Sequence, residues 1–159
     1  MKIGDVASAI GKGLVAGAVG TVAITASQML AQKLVGQEPS TAPAEATEKV
    51  LGVEPKGEQE EQRLNQTVHF AYGTAWGVPR ALLAVFGLSP VTATAAHFAA
   101  VQGASMAMLP GLDIAPPPHK WGLKEIALES FHHLVYAVAT GLTLGFLDRR
   151  SERARLAAA

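Results

Sequence analysis

A glutamate and two histidines lie in an otherwise apolar stretch near the C-terminal end of the sequence. Residues 123–150 read LKEIALESFHHLVYAVATGLTLGFLDRR, and between positions 126 and 147 the only charged residue is Glu129, which His132 and His133 follow. Imidazoles titrate near neutral pH and can exchange protons with a carboxylate that is removed from water, and both groups also bind metal ions. In a membrane helix such groups point inward, pair with one another and mark functional sites.

A second segment carries a similar pattern 64 residues earlier in the chain. Both segments match HxxYxxAxG, which predicts a duplicated helical hairpin whose two copies are related by an axis along the membrane normal. Under this hypothesis, His69 and His133 face each other across the centre of a helical bundle. The aligned pairs are Asn65 with Glu129, His69 with His133, Tyr72 with Tyr136, Ala75 with Ala139, and Gly77 with Gly141.

Helical spacing places further polar residues at the same level. Glu129, His133 and Tyr136 share one helix face, while His132 lies on the Glu129 edge and tilts away from the next turn. Ser27 and Gln28 approach this level from one helix, and Gln102 and Ser105 from another. The predicted polar cluster comprises Asn65, His69, Tyr72, Glu129, His132, His133, Tyr136, Gln28 and Gln102.

Four uses of this cluster remain open. It is a proton or ion site, a metal site with His69, Glu129 and His133 as candidate ligands, a bis-histidine haem site between glycine-containing helices, or a structural network that fixes helix register. No nucleophile elbow, phosphate-binding glycine loop or HExxH motif is present, so the sequence predicts no enzyme activity.

Two other polar residues interrupt apolar segments. Arg80 follows Pro79, which removes a helical hydrogen bond, and we expect its side chain to extend to the lipid headgroups. The alternatives are contact with His97, which lies at a similar depth, and contact with a partner subunit. For His97 itself we expect a hydrogen-bonded packing role.

The distribution of charge predicts the elements that position these residues. Thirteen basic and thirteen acidic residues balance, which argues against nucleic acid as a partner, and only 16% of the residues are charged. The charge-poor segments are long enough for about 20-residue membrane helices. The chain is therefore predicted to be all-α, a single integral membrane domain (1–159) forming a four-transmembrane-helix bundle of two tandem hairpins. The predicted spans are 8–33, 65–87, 91–109 and 124–147.

The segments outside the spans predict topology. Residues 34–64 form an acidic outer loop, whose PAEATEKVLG portion is predicted to be a short surface helix. Arg149, Arg150, Arg153 and Arg155 follow the last span, and Lys2 and Lys12 flank the start of the first, so both termini are expected on the cytoplasmic side. Gly13, Gly17 and Gly20 line one face of the first span, a pattern typical of close helix packing in lipid.

The segments NQTVHFAYGTAWG, PGLDIAPP and ESFHHLVY together resemble the YagU-like family of uncharacterised bacterial inner-membrane proteins. The resemblance covers the second to fourth spans and is best at His69, the loop after Pro110, Glu129 and His133. It implies a multi-pass location in the bacterial inner membrane and a link with acid tolerance.

The leading hypothesis is a non-enzymatic protein that senses or conducts protons or small ions. The alternatives are an auxiliary subunit that docks other membrane proteins or its own copies, and a metal- or haem-binding protein.

Overall fold

The computed structural model describes residues 3–157, without the side chains of Ile3 and Arg155, and this range contains only helices, turns and irregular connections. The all-α fold class is therefore confirmed. The helices are α1 (Ile3–Val35), α2 (Ala42–Leu51), α3 (Glu58–Val85), α4 (Pro90–Gly111) and α5 (Leu123–Ala157), with a short 3₁₀ helix at Pro118–Lys120.

Helix ends differ from the predicted spans where the sequence is charged. Helix α3 begins at Glu58 rather than at 65, because three glutamates in its first turn interact favourably with the positive end of the helix dipole. Helix α5 continues to Ala157 rather than ending at 147, since arginine and glutamate also favour helix. The limits of the apolar sequence therefore do not mark the helix ends.

The predicted turn between α3 and α4 is present. Gly87 adopts a positive φ of 85°, a conformation that suits glycine because it lacks a Cβ atom. The Ser89 hydroxyl oxygen then accepts a 3.2 Å hydrogen bond from the amide of Thr92 and caps the start of α4. Pro79 does not end α3, which runs on to Val85.

Helices α1, α3, α4 and α5 form a four-helix bundle in which α1 lies between α3 and α5, and α4 lies opposite α1. The largest interface joins α1 to α3. A Cβ atom built on Gly77 would lie 2.0 Å from the carbonyl oxygen of Gly13 and 2.6 Å from the amide nitrogen of Gly17. A Cβ atom on Gly20 would lie 2.8 Å from the Tyr136 ring of α5. The predicted glycine face is therefore a contact surface shared between two neighbouring helices.

Helix α2 lies within the predicted outer loop and packs against α3. The Asn65 side chain of α3 accepts a hydrogen bond from the amide of Ala44 at 3.1 Å and donates one to the carbonyl oxygen of Ser40 at 2.9 Å. Lys49 donates a 3.0 Å hydrogen bond to the carbonyl oxygen of Asp113. These contacts hold α2 at one end of the bundle, which we call the α2 end.

At the opposite end, the ammonium group of Lys12 lies 2.8 Å from the carboxylate of Asp148. The pair joins the early part of α1 to the late part of α5, so we call this the terminal end. The early part of α1 and the late part of α5 thus lie at the same end of the bundle, as an even number of antiparallel bundle helices requires. Lys2, part of the predicted charge bias, lies outside the described residues.

Two of the described helices are long and apolar enough to cross a membrane, judged by length and composition: α1 from Gly4 to Val35, and α5 from Leu123 to Ala154. Helices α3 and α4 do not meet the same criterion, so the predicted four-span arrangement is not confirmed. The physical reason lies in their composition. The apolar part of α3 carries His69, Pro79 and Arg80, and α4 carries His97 and Gln102, and these residues lower the hydropathy of both helices.

Candidate polar site in the bundle interior

The centre of the site lies between α4 and α5 near the α2 end. Nδ1 of His133 lies 2.8 Å from the side-chain oxygen of Gln102, and Nε2 of His133 lies 3.5 Å from the carboxylate of Glu129. The Ser105 hydroxyl donates a 3.3 Å hydrogen bond to the same carboxylate oxygen. Glu129 and His133 are four residues apart, so one turn of α5 places them in contact.

The orientation of the Gln102 amide decides where His133 carries its proton. With the Gln102 oxygen facing Nδ1 of His133, Nδ1 donates to it, and a neutral imidazole then has no hydrogen on Nε2, which faces the Glu129 oxygen at 3.5 Å. A hydrogen bond between His133 and Glu129 then needs a second proton in the pair. With the amide reversed, the Gln102 nitrogen donates to Nδ1, and a neutral His133 donates from Nε2 toward Glu129. In both orientations the contact joins an imidazole to a carboxylate.

His69 approaches the same region from α3. Its Nε2 lies 3.1 Å from the hydroxyl oxygen of Thr25 on α1. His69 and His133 both line a pocket of about 330 Å³ at the α2 end and a smaller one of about 80 Å³ beneath it. The structure therefore brings the two histidines of the predicted repeat to a common cavity.

The two hairpins position their histidines in corresponding ways. His69 contacts Thr25 of the preceding bundle helix, and His133 contacts Gln102 of the preceding bundle helix. Eight residues before Thr25 and Gln102, respectively, lie Gly17 and Thr94. These two residues are the neighbours of the aligned glycines, since Gly77 packs on Gly17 and Gly141 packs on Thr94. The same helix register thus occurs in both hairpins, although their sequences share few identities.

The aligned tyrosines differ in their surroundings. Tyr136 is only 3% exposed, and its hydroxyl donates a 2.6 Å hydrogen bond to the carbonyl oxygen of Gly73. Tyr72 is 45% exposed and lies edge-on to Trp76, with ring centroids 6.0 Å apart. The two tyrosines both line the smaller pocket of about 80 Å³ but differ in role: Tyr136 joins helices, whereas Tyr72 also lines the larger pocket.

Three predicted cluster members lie elsewhere. His132 is fully buried against α1, where its ring nitrogens contact the hydroxyl of Ser27 at 2.8 Å and the side-chain oxygen of Gln37 at 3.0 Å. Asn65 holds α2, as described above. Gln28 is partly buried, and none of the described hydrogen bonds involves it. None of the described hydrogen bonds joins these three residues to His133, so their membership of the cluster stays a prediction.

Arg80 does not extend outward to the bundle surface. It is 2% exposed, and its Nη2 donates 3.2 Å hydrogen bonds to the carbonyl oxygen of Pro90 and the hydroxyl of Thr94. The expectation that Arg80 reaches lipid headgroups is therefore wrong, because the first turn of α4 supplies acceptors inside the bundle. His97 is fully buried, and its Nε2 lies 3.0 Å from the carbonyl oxygen of Trp76. That contact fits the expected packing role.

Several buried side-chain atoms have no hydrogen-bond partner among the described residues. They are Nε and Nη1 of Arg80, Nδ1 of His97, Nε2 of Gln102 and Oγ1 of Thr140. Leaving a buried polar atom unpaired costs about 1–3 kcal/mol, so such atoms in a native structure need an explanation. All four residues lie on the helices that enclose the bundle interior. Their unpaired atoms make this part of the bundle interior polar.

The histidines do not fit a metal or haem site. No group of three or more His, Cys, Asp or Glu side chains in residues 3–157 is arranged to hold a metal ion. Both ring nitrogens of His133 already face side chains, so neither is free to act as a ligand. The glycines were expected to leave space for a flat macrocycle, but a neighbouring helix occupies the space beside Gly73. A Cβ atom on Gly73 would lie 2.4 Å from Oγ1 of Thr21.

Some site residues were not predicted. Thr25 holds His69, Gln37 holds His132, and Thr140 contributes an unpaired buried hydroxyl. A usable signal existed for Thr140, which follows Tyr136 by four residues on the same helix face. Thr25 gave no distinct signal, because threonine hydroxyls in helices commonly bond their own backbone, as Thr25 also does with Thr21.

No family model, curated protein or solved structure matches this chain.

Proposed function

We propose that the chain is an integral inner-membrane protein whose bundle interior senses or conducts protons, without catalysing a reaction. Pairing of α1 with α3 and of α4 with α5 as two tandem hairpins gives four membrane passes, with both termini on the cytoplasmic side. A role in the response to acid is also what the resemblance to the YagU-like family implies. The corresponding helix registers of the two hairpins support a duplicated origin.

The distribution of polar and apolar side chains supports a lipid environment. The largest fully buried side chains are all polar: His97, His132, Thr21 and Thr140. Large apolar side chains instead face outward, among them Val22 (58% exposed), Leu142 (70%) and Phe146 (56%). A water-soluble protein places its large apolar residues inside, whereas lipid solvates them as well as a protein core does. Lipid explains why the smaller and more polar residues form the interior.

The observation that carries the proton hypothesis is the contact of His133 with both Gln102 and Glu129. With the Gln102 oxygen facing His133, a hydrogen bond between His133 and Glu129 needs one extra proton in the pair. A site that binds a proton between an imidazole and a carboxylate, at the wall of a cavity, is the arrangement that a proton sensor or relay needs.

Polar groups continue from this pair toward the terminal end. The ring of Tyr136 lies 5.4 Å from that of His97, measured between centroids. Arg80 and Thr140 follow, and a second pocket of about 210 Å³ at the terminal end is lined in part by Lys12 and Asp148. The unpaired atoms of Arg80, His97, Gln102 and Thr140 lie along this path. A chain of water molecules bonded to them would connect the two pockets.

The test compares the same substitution at two histidines. The purified protein is reconstituted into liposomes that contain a pH-sensitive dye, and a potassium gradient with valinomycin drives proton entry. His133→Gln removes the titrating ring but keeps a hydrogen-bonding amide, and we expect it to reduce proton entry at least tenfold. His119→Gln changes an exposed histidine outside the bundle and should leave the flux unchanged.

The alternative function, an auxiliary structural subunit, is favoured by the hydrogen bonds that join helices, such as that from Tyr136 to Gly73. Under that alternative, His133→Gln lowers the unfolding free energy or assembly with other membrane proteins, and wild-type liposomes are no more permeable to protons than protein-free ones. Equal proton entry in wild-type and protein-free liposomes would therefore reject conduction.

A further inference from the structure

The pocket at the α2 end has the size and lining of a small-molecule site. Its volume is about 330 Å³, within the range of ligand pockets, which is about 300–1,000 Å³. Its wall is mainly apolar, with contributions from Val50 and Leu51 of α2, Val68 of α3 and Met108 of α4. A few polar groups lie close together on one side of this wall. Apolar walls with few convergent polar groups are typical of sites that bind small organic ligands.

The charge of the lining selects the ligand class. Glu129 is the only acidic residue that lines the pocket in the described part of the chain, and neither lysine nor arginine lines it. Its side chain keeps 31% of its surface exposed, although it contacts His133 and Ser105. Part of the Glu129 carboxylate is therefore accessible from the cavity. In apolar surroundings such a carboxylate attracts a cation strongly, because water does not screen the pair.

An aromatic wall adds to this preference. Tyr72 lines the pocket and is 45% exposed, so its ring is accessible to a ligand. Cations bind favourably over the faces of aromatic rings. From these features we propose that the pocket beneath α2 binds a small lipophilic monocation, with its ammonium group at Glu129 and its apolar part against α2 and α3.

Helix α2 forms one wall of this site. It supplies Val50 and Leu51 to the lining, and it is held by the Asn65 contacts at its N-terminal end and by Lys49 near its C-terminal end. The cation occupies the position of the proton that the Glu129–His133 pair would otherwise hold, so cation and proton compete. Only this competition rests on the proposed function, whereas binding rests on the pocket alone.

The test uses three ligands of equal shape and different charge: 3-phenylpropylammonium, 3-phenylpropanol and 3-phenylpropanoate. Isothermal titration calorimetry on the full-length protein in detergent, with protein-free micelles as the blank, measures their binding. We expect the ammonium compound to bind at least tenfold more tightly than the alcohol, and the carboxylate compound not to bind. Equal affinity for amine and alcohol would overturn the proposal and would indicate a pocket filled by lipid chains.

Two variants and one control variant test whether the ligands bind in this pocket. Glu129→Gln should weaken amine binding at least tenfold and change alcohol binding little, whereas Glu152→Gln, the same change at the far end of α5, should change neither. Ala46→Phe fills the pocket from α2 without touching Glu129 and should weaken both ligands. Unchanged amine binding in Glu129→Gln would overturn the proposal. Amine binding without proton flux would reject proton conduction and leave this inference standing, whereas proton flux without amine binding would reject this inference alone.

Discussion

The phenolic oxygen of Tyr136 donates a 2.6 Å hydrogen bond to the backbone carbonyl oxygen of Gly73. This bond crosses the bundle diagonal, because Tyr136 lies on α5 and Gly73 on α3. At the same level, Gly73 packs closely against Thr21 of α1: a Cβ atom added to Gly73 would lie only 2.4 Å from the Thr21 hydroxyl oxygen. Three helices are therefore fixed at one level, directly beneath the pair of His133 and Glu129.

Tyr136→Phe removes this bond without changing the ring. We expect the unfolding free energy to fall by about 1 kcal/mol, the usual net contribution of one hydrogen bond. Titration with SDS from mixed micelles, followed by circular dichroism, measures the change. Tyr72→Phe is the control, since the Tyr72 hydroxyl is at a half-exposed position, and it should cost much less. An equal loss at both tyrosines would contradict the assignment.

Gly77→Ala tests the close approach of α1 and α3. The new methyl group would lie 2.0 Å from the carbonyl oxygen of Gly13 and 2.7 Å from Cα of Gly17, so the two backbones must separate. Overpacking of this kind costs about 1–3 kcal/mol. The same unfolding titration should show this loss.

Gly103→Ala is the matched control for Gly77→Ala. It also replaces a glycine inside a helix, but apart from the backbone of its own helix and its chain neighbours no described atom lies within 4 Å of the new methyl group. Alanine is the better helix former by about 1 kcal/mol, so this variant should be as stable as the wild type or more so. Similar destabilisation in both variants would mean that the α1–α3 contact is not the cause.

The sequence predicted the helices well, because apolar stretches, the GLSP turn and the absence of strand patterns are local properties. It also predicted that Glu129, His133 and Gln102 meet. The spacing of Glu129 and His133 fixes their relation on α5, and Gln102 is one of the few polar residues on α4. It did not separate His132 from His133. Adjacent residues on a helix point about 100° apart, and only packing decides which one faces α1 and which faces α4.

Arg80 and Asn65 show a second limit of sequence reasoning. Arg80 was expected to leave the bundle, but the carbonyl oxygen of Pro90, ten residues later, accepts a hydrogen bond from it inside. Asn65 aligned with Glu129 in the repeat, yet it bonds to Ala44 and to Ser40. Both contacts depend on how a connection folds back on its helices, which no periodic pattern encodes.

Asn65→Ala should release the N-terminal end of α2. Two hydrogen bonds are lost, at the amide of Ala44 and the carbonyl of Ser40, and faster hydrogen–deuterium exchange in residues 40–51 should report the opening. An increase of roughly tenfold corresponds to about 1.4 kcal/mol of local stability, as expected for these bonds. Gln66→Ala, at the neighbouring exposed position, is the control and should leave this exchange unchanged. Protection that survives in Asn65→Ala would show that Lys49 or apolar packing alone holds α2.

Arg80 places a positive charge within the proposed proton path, near Thr94 and below His97. Its Nη2 is hydrogen-bonded, while Nε and Nη1 have no partner among the described residues. A fixed cation in a narrow pore opposes the passage of protons, as in channels that exclude them electrostatically. Arg80→Met removes the charge and keeps a long apolar side chain, so we expect proton entry into liposomes to rise roughly tenfold, for a barrier lowered by about 1.4 kcal/mol.

The stability of this variant should change little, because replacing a buried charged group by an apolar one of similar size is often neutral or stabilising. Arg149→Met, the same substitution at an exposed position of α5, is the control and should leave proton entry unchanged. If Arg80→Met folds normally and conducts protons no faster than the wild type, protons do not pass Arg80. The path between the two pockets would then have to be abandoned, although the proton held between His133 and Glu129 could still serve a sensor that does not conduct.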